Sequence, residues 1–167
     1  MVLAKNEILN ILKSGELKIV PFNKNQVGAG SIDLTLSNEF RKFTDKTETI
    51  PISENTDYKK YTKKFKLNEL ILQPNETILG MTKEKIYMPS TLAGFLQGRT
   101  RFARLGLAVH VTASFVNPGV NNKQVLEIKN VGESEIILKP GLKICQLVLQ
   151  RTEGKAKYKG KFQGQKL

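Results

Sequence analysis

Three arginines and a hydroxyl fall within six residues of the stretch Gln97-Gly98-Arg99-Thr100-Arg101-Phe102-Ala103-Arg104. On a helix, Thr100 and Arg104 stand four apart and share a face. Arginines beside a glycine and a helix N-terminus form a cradle for phosphate, whose oxygens suit the guanidinium fork. The same stretch reads equally as a solvent-exposed basic turn. Glu127 is a second candidate, an acid inside the apolar run Val125-Leu126-Glu127-Ile128. Strand alternation places such an acid on the solvent face or in a site. Beside a ligand, desolvation would raise its pKa and suit it to general acid–base work.

His110, among Leu107-Ala108-Val109-His110-Val111-Thr112-Ala113, reads as a hydrogen-bonded core residue rather than a catalyst. Cys145 reads as a small buried hydrophobe. They are the only histidine and the only cysteine. A zinc site draws three or four ligands largely from these two types, so the sequence argues against zinc-dependent chemistry. The run Tyr158-Lys159-Gly160-Lys161-Phe162-Gln163-Gly164-Gln165 mixes aromatic, basic and amide groups. It reads either as a segment that closes over a ligand or as a basic tail, mobile until something orders it.

Short elements must position these groups. Residues 4–14 predict an amphipathic helix, with Ile8, Ile11 and Leu12 on one stripe and Gly15 as its stop. Ser31 to Leu36 alternates as a half-buried strand. Further strands are predicted at Glu76–Met81, Val125–Asn130, Glu135–Leu138 and Lys143–Gln150. Turns fall at Gln73-Pro74-Asn75-Glu76, Met88-Pro89-Ser90, Asn117-Pro118-Gly119 and Lys139-Pro140-Gly141. Many short strands imply an all-β sandwich or barrel, with a brief helix near 99–105. Residues 44–66 are rich in Lys, Thr, Asp and Glu and read as an exposed excursion whose lysines form a solvated face.

The chain's 167 residues and 40% apolar content fit one domain over 1–167. No window is apolar enough for a membrane helix, and the N-terminal residues do not read as a signal peptide, so a cytoplasmic protein is expected. The net charge of +12 attracts polyanions without choosing among them. No helix-turn-helix, zinc finger or stacking signature points to nucleic acid.

In order and spacing, the motifs resemble those of the dCTP deaminases of the dCTP deaminase/dUTPase superfamily. Gly98 to Leu107 resembles the family's glycine-arginine-serine-serine-x-alanine-arginine motif. His110 to Ala113, Asn117-Pro118-Gly119, Leu126 to Asn130 and Pro140 to Leu147 follow at the family's spacing. Ile19 to Phe22, Ser31 to Phe40 and the tail are also similar, so only residues 44–66 stand outside the resemblance.

The resemblance implies a mainly β fold. This is a distorted jelly-roll-like barrel of the dUTPase-like (β-clip) type, with an N-terminal helix and a short helix near 99–105. It implies a homotrimer with interfacial active sites. It implies zinc-independent hydrolysis of dCTP to dUTP and ammonia, with Mg2+ carried on the triphosphate. By position, Glu127 matches the catalytic general base and proton shuttle, Thr100 helps hold the attacking water, and Arg104 supports that network. Arg99 would bind phosphate, and Ala113 would offer backbone contacts near the base. Val125 and Leu126 would line the pyrimidine site, and Tyr158, Lys161 and Gln165 match tail positions that contact base and phosphates.

Three departures bear on activity. Arg101 stands where the family has a second serine, exchanging a hydroxyl for a long cation that meets phosphate in another geometry. Asn117 replaces the aspartate that activates water for attack on phosphorus in dUTPases and bifunctional members. The amide retains a hydrogen bond to a sugar hydroxyl but cannot act as that base. Phe162 stands where tyrosine is common. The alternatives are therefore a dUTP diphosphatase and a catalytically silent nucleotide-binding protein.

Overall fold

The computed structural model describes residues 1–44, 49–110 and 112–167; residues 45–48 of the excursion and Val111 lie outside the described residues. In chain order the elements are α1 (Lys5–Ser14), β1 (Lys18–Val20), β2 (Ile32–Phe43), β3 (Thr62–Lys66), β4 (Leu70–Leu72), β5 (Thr77–Tyr87) and β6 (Leu92–Gly98). Then follow α2 (Thr100–Ala103), β7 (Leu107–Val109), β8 (Phe115–Val116), β9 (Asn121–Asn130), β10 (Ile136–Leu138) and β11 (Lys143–Arg151). Single 3-10 turns lie at Lys24–Gln26 and Tyr58–Tyr61.

The predicted stripe of α1 is the one that is used. Ile8 and Ile11 are buried, and Gly15 ends the helix in the left-handed region (φ 79°). That conformation costs glycine little. In β2 the alternating Ile32, Leu34 and Leu36 are fully buried. The strand does not end there but runs on to Phe43, because a register shift against β5 between Leu36 and Phe40 absorbs the polar Ser37-Asn38-Glu39. Such a bulge restores Phe40 to the core side, where its ring stacks on Phe65 of β3 at 5.8 Å. β5 likewise runs past the predicted Met81 to Tyr87, with a shift between Met81 and Lys85 against β9.

The main sheet has the order β7-β9-β5-β2-β11-β6-β8, with β1 added on β5 and β3 on β2; β10 and β4 form a separate pair. Every pairing among these strands is antiparallel. The core lies inside the curl of this sheet, where Ile32, Leu36, Ile78, Leu92, Leu126, Ile128 and Leu147 meet with no exposed surface. Gly80 allows β5 to sit close beneath its neighbours. A Cβ there would lie 2.8 Å from Cδ1 of Ile128 and 3.2 Å from Cδ1 of Leu36.

The buried carboxylate of Glu84 has no ion pair among the described residues. Glu84 accepts from Nε2 of Gln26 at 2.7 Å and from the Thr35 backbone at 2.8 Å. Among the described residues, no helix is long and apolar enough to cross a membrane.

Candidate active site

Alternation along β9 decides what the site contains. Asn122, Gln124, Leu126 and Ile128 are buried, whereas Val125 and Glu127 project from the other face. Glu127 therefore escapes the core and lines a cavity of about 420 Å³, a volume suited to a small organic ligand. Leu126, expected to line a pyrimidine site, instead points into the core with no exposed surface. Its neighbour Val125 does line the cavity, with Ala113, Asn117, Tyr158 and Gln165.

The Glu127 carboxylate is held from one side. The hydroxyl and backbone N–H of Thr112 approach Oε2 at 3.3 and 3.4 Å, long for strong hydrogen bonds. Nδ1 of His110 lies 3.9 Å from the same oxygen. His110 is more than the core residue expected. Its backbone has φ 61°, a strained value for a non-glycine residue, and its N–H donates to the Glu127 carbonyl at 2.7 Å. Nε2 pairs with the Ala113 carbonyl at 2.8 Å, leaving Nδ1 buried, without a hydrogen-bond partner among the described residues, and facing the carboxylate. The Glu127 side chain keeps 30% of its surface exposed, so water reaches it.

The tail lies over the cavity. The Tyr158 backbone donates to the Pro118 carbonyl at 2.8 Å, and Nε2 of Gln163 to that of Gly119 at 3.1 Å. Nδ2 of Asn122 donates to the Phe162 carbonyl at 2.8 Å, and Nε2 of Gln165 to that of Lys123 at 3.2 Å. Lys161 is exposed and reaches the Glu54 carbonyl at 3.5 Å. Gly119 has φ 76°, and a Cβ there would strike Lys157, so the Pro118-Gly119 turn is the tail's seat.

The arginine cluster lies elsewhere. Thr100 and Arg104 line a second, more open groove with Gln97, Ala103 and Ala108. Arg99 caps α2 and is turned inward, donating to the Lys143 carbonyl at 3.0 Å and lying 3.4 Å from the Asp33 carboxylate. Arg101 is exposed. Among the described residues, no lysine or arginine lines the Glu127 cavity. One chain therefore holds the proposed base and the proposed phosphate cations in two separate places.

Three aromatic residues were not anticipated. Phe43, Tyr58 and Phe115 line the cavity. Phe43 ends the bulged strand β2, and Tyr58 comes from the segment read as an exposed excursion. Thr112 was noted only as part of a motif. The one sequence signal for Tyr58 was an aromatic amid lysines, Asp57-Tyr58-Lys59-Lys60-Tyr61.

The dCTP deaminase-like family model matches residues 2–152. A protein of Mycolicibacterium vanbaalenii named dCTP deaminase, dUMP-forming, is 35% identical over 175 residues, covering 99% of this chain and 92% of its own length. A Rhodococcus opacus protein of the same name is 35% identical, with 99% and 93% covered. The crystal structure of 2'-deoxycytidine 5'-triphosphate deaminase from Agrobacterium tumefaciens superposes with a TM-score of 0.71 at 16% identity. That likeness covers 90% of this chain and 48% of the other, so this chain spans about half its length, and at that identity it speaks for the fold alone. The mainly β architecture expected from the sequence is the one found.

Proposed function

The chain belongs to the dCTP deaminase-like family, and from that premise we propose that it hydrolyses the 4-amino group of dCTP, giving dUTP and ammonia. The observation that carries this reading is Glu127. Among the described residues it is the one carboxylate lining the cavity, open to water and flanked by Thr112 and His110.

Glu127 takes a proton from water as the oxygen attacks C4 of the cytosine ring. It delivers that proton to N3, and then moves the second proton of the former water to the amine, which leaves as ammonia. A positioned proton carrier of this kind contributes ~10²–10⁴-fold. Ala113 offers its backbone to the base and Asn117 its amide to a sugar hydroxyl. Val125 packs against the pyrimidine, and Tyr158, Lys161 and Gln165 close over the nucleotide.

The chemistry is proposed to need no zinc. Among the described residues no three His, Cys, Asp or Glu side chains converge on a metal position, and Cys145 lies in the core. Mg2+ arrives with the substrate, on the triphosphate oxygens.

A triphosphate needs cations, and among the described residues none lines the Glu127 cavity. A neighbouring copy supplies them in this reading, as a homotrimer in which Arg99, Thr100, Arg101 and Arg104 of one subunit face Glu127 of the next. Such head-to-tail contacts end in a closed ring when the rotation between neighbours closes.

A second reading is bifunctional, ending at dUMP, and the names of the relatives favour it. Against it stands Asn117, an amide in the cavity where attack on phosphorus needs a base. Incubation with dCTP and magnesium, products resolved by chromatography, tests the proposal. Ammonia with dUTP supports it, ammonia with dUMP and pyrophosphate supports the bifunctional enzyme, and untouched dCTP overturns both.

A further inference from the structure

We infer that Tyr58, clamped by Arg41, is a substrate-positioning residue whose ring forms the cavity wall on which the nucleoside packs. The inference rests on the deaminase reading above and adds to it a residue from the segment 44–66, which the sequence motifs leave out.

The sheet sets the geometry. Glu127 of β9 pairs with Leu79 of β5, and Leu79 with Arg41 of β2. Register partners project to one face, so these three side chains form a row across three strands. Neighbouring strands lie ~4.8 Å apart, which puts Arg41 roughly 10 Å from Glu127 along that row. Tyr58 sits above the Arg41 end, with the guanidinium 5.7 Å from its ring centroid. It packs, as Val125 does, against the cluster of Leu79, Met81 and Leu167 and lines the cavity that Glu127 lines. Glu127 and the ring are thus two ends of one pocket floor, with Leu79 between them.

Arg41 is committed to this arrangement. It is 8% exposed and has no ion pair among the described residues. Instead Nε donates to Oγ1 of Thr62 at 2.8 Å, and Nη2 to the carbonyls of Thr62 and Lys59 at 3.0 and 3.3 Å. Oγ1 of Thr62 donates in turn to the Tyr58 carbonyl at 2.9 Å. Asp57 caps the turn through the Lys59 N–H at 3.1 Å. A buried cation that spends these donors on the turn's Lys59 and on Thr62, the strand residue that follows it, fixes where the aromatic of that turn stands. No hydrogen bond to the Tyr58 hydroxyl is formed among the described residues, so the ring face, rather than a polar network, is what the cavity receives.

The test uses the full chain. Tyr58→Ala should raise KM for dCTP about tenfold or more, the size of one lost ring contact, with kcat reduced less. Tyr58→Phe should restore it. Arg41→Met should shift KM the same way; should that variant unfold, judged by its melting curve, the Tyr58 pair still decides. The chain contains no tryptophan, so Tyr58→Trp in a Glu127→Gln background places a single indole in the cavity, and dCTP with magnesium should change its emission. An active wild type with unchanged Tyr58→Ala kinetics and a silent indole overturns the inference and leaves the deaminase reading intact. An indole that responds to dCTP while the wild type releases no ammonia sustains the contact and overturns the deaminase reading instead.

Discussion

The Thr112 hydroxyl lies 3.3 Å from Oε2 of Glu127, while no hydrogen bond reaches Oε1 from any described residue. Among the described residues the carboxylate is therefore approached at one oxygen only. Glu127→Gln keeps the shape of the side chain and removes its basicity. Deamination should fall by at least ~100-fold, the lower end of what a general base contributes. Binding of dCTP, followed by equilibrium dialysis, should survive within a few-fold. Full turnover in this variant would remove Glu127 from the mechanism.

The separation of Glu127 from Thr100 and Arg104 within one chain leads to a complementation experiment. Glu127→Gln and Arg104→Met should each be inactive alone. Mixed after partial denaturation and reassembly, they should recover about a quarter of wild-type activity, the fraction of head-to-tail interfaces that pair two intact halves. A mixture as inactive as its parents would place both groups in one subunit's site.

Gly119 carries the tail's seat, and its φ of 76° is one that L side chains rarely adopt. A Cβ at this position would also meet Lys157 Cγ at 2.8 Å and Cα at 3.0 Å. Gly119→Ala should therefore loosen the tail and raise KM for dCTP several-fold. Removing residues 156–167 should raise it further, since every tail contact made by Tyr158, Phe162 and Gln165 goes with them. Steady-state kinetics on the two variants check the order, and unchanged KM in both would mean that the tail takes no part in binding.

Asn117 lines the cavity, and a carboxylamide has no useful basicity. The wild-type chain should accumulate dUTP from dCTP with pyrophosphate at background. Asn117→Asp should release pyrophosphate and dUMP. Pyrophosphate from the wild type would show that another group activates water for attack on phosphorus.

The strand alternations were legible because each is local. Ile32, Leu34 and Leu36 announce a buried face without reference to any partner, and Gly15 announces a helix stop. Glu127 was legible as a residue, but its face was settled only by β9 pairing with β5. The continuation of β2 to Phe43 was not legible, because a bulge formed against β5 carries the polar Ser37-Asn38-Glu39. Tyr58 was hidden for a similar reason. Its place depends on Arg41, seventeen residues earlier in sequence, and on the pairing of β3 with β2. The lysines around Tyr58 read as a solvated face, and several are exposed, yet the ring between them turns inward.

Cys145 sits on β11 with no exposed surface, and burial pushes its thiol from 9.0 up to about 12, with the carboxylates of Glu84 and Asp33 acting in the same direction. The thiol stays protonated at neutral pH, and thiolate is the reactive form. A thiol reagent at pH 8 should leave the folded chain unlabelled over hours and label one group at once in denaturant. The same shift sets a sign for stability. The unfolded chain releases this proton near pH 9 while the folded chain holds it to about 12. The contribution of Cys145 is therefore intact below pH 9 and is lost as pH rises toward 12, at about 1.4 kcal/mol per pH unit. Melting curves of the wild type and Cys145→Ala between pH 8 and 10.5 should converge as pH rises. Parallel curves, or rapid labelling at pH 8, would mean that the β11 thiol is reached by solvent in the folded protein.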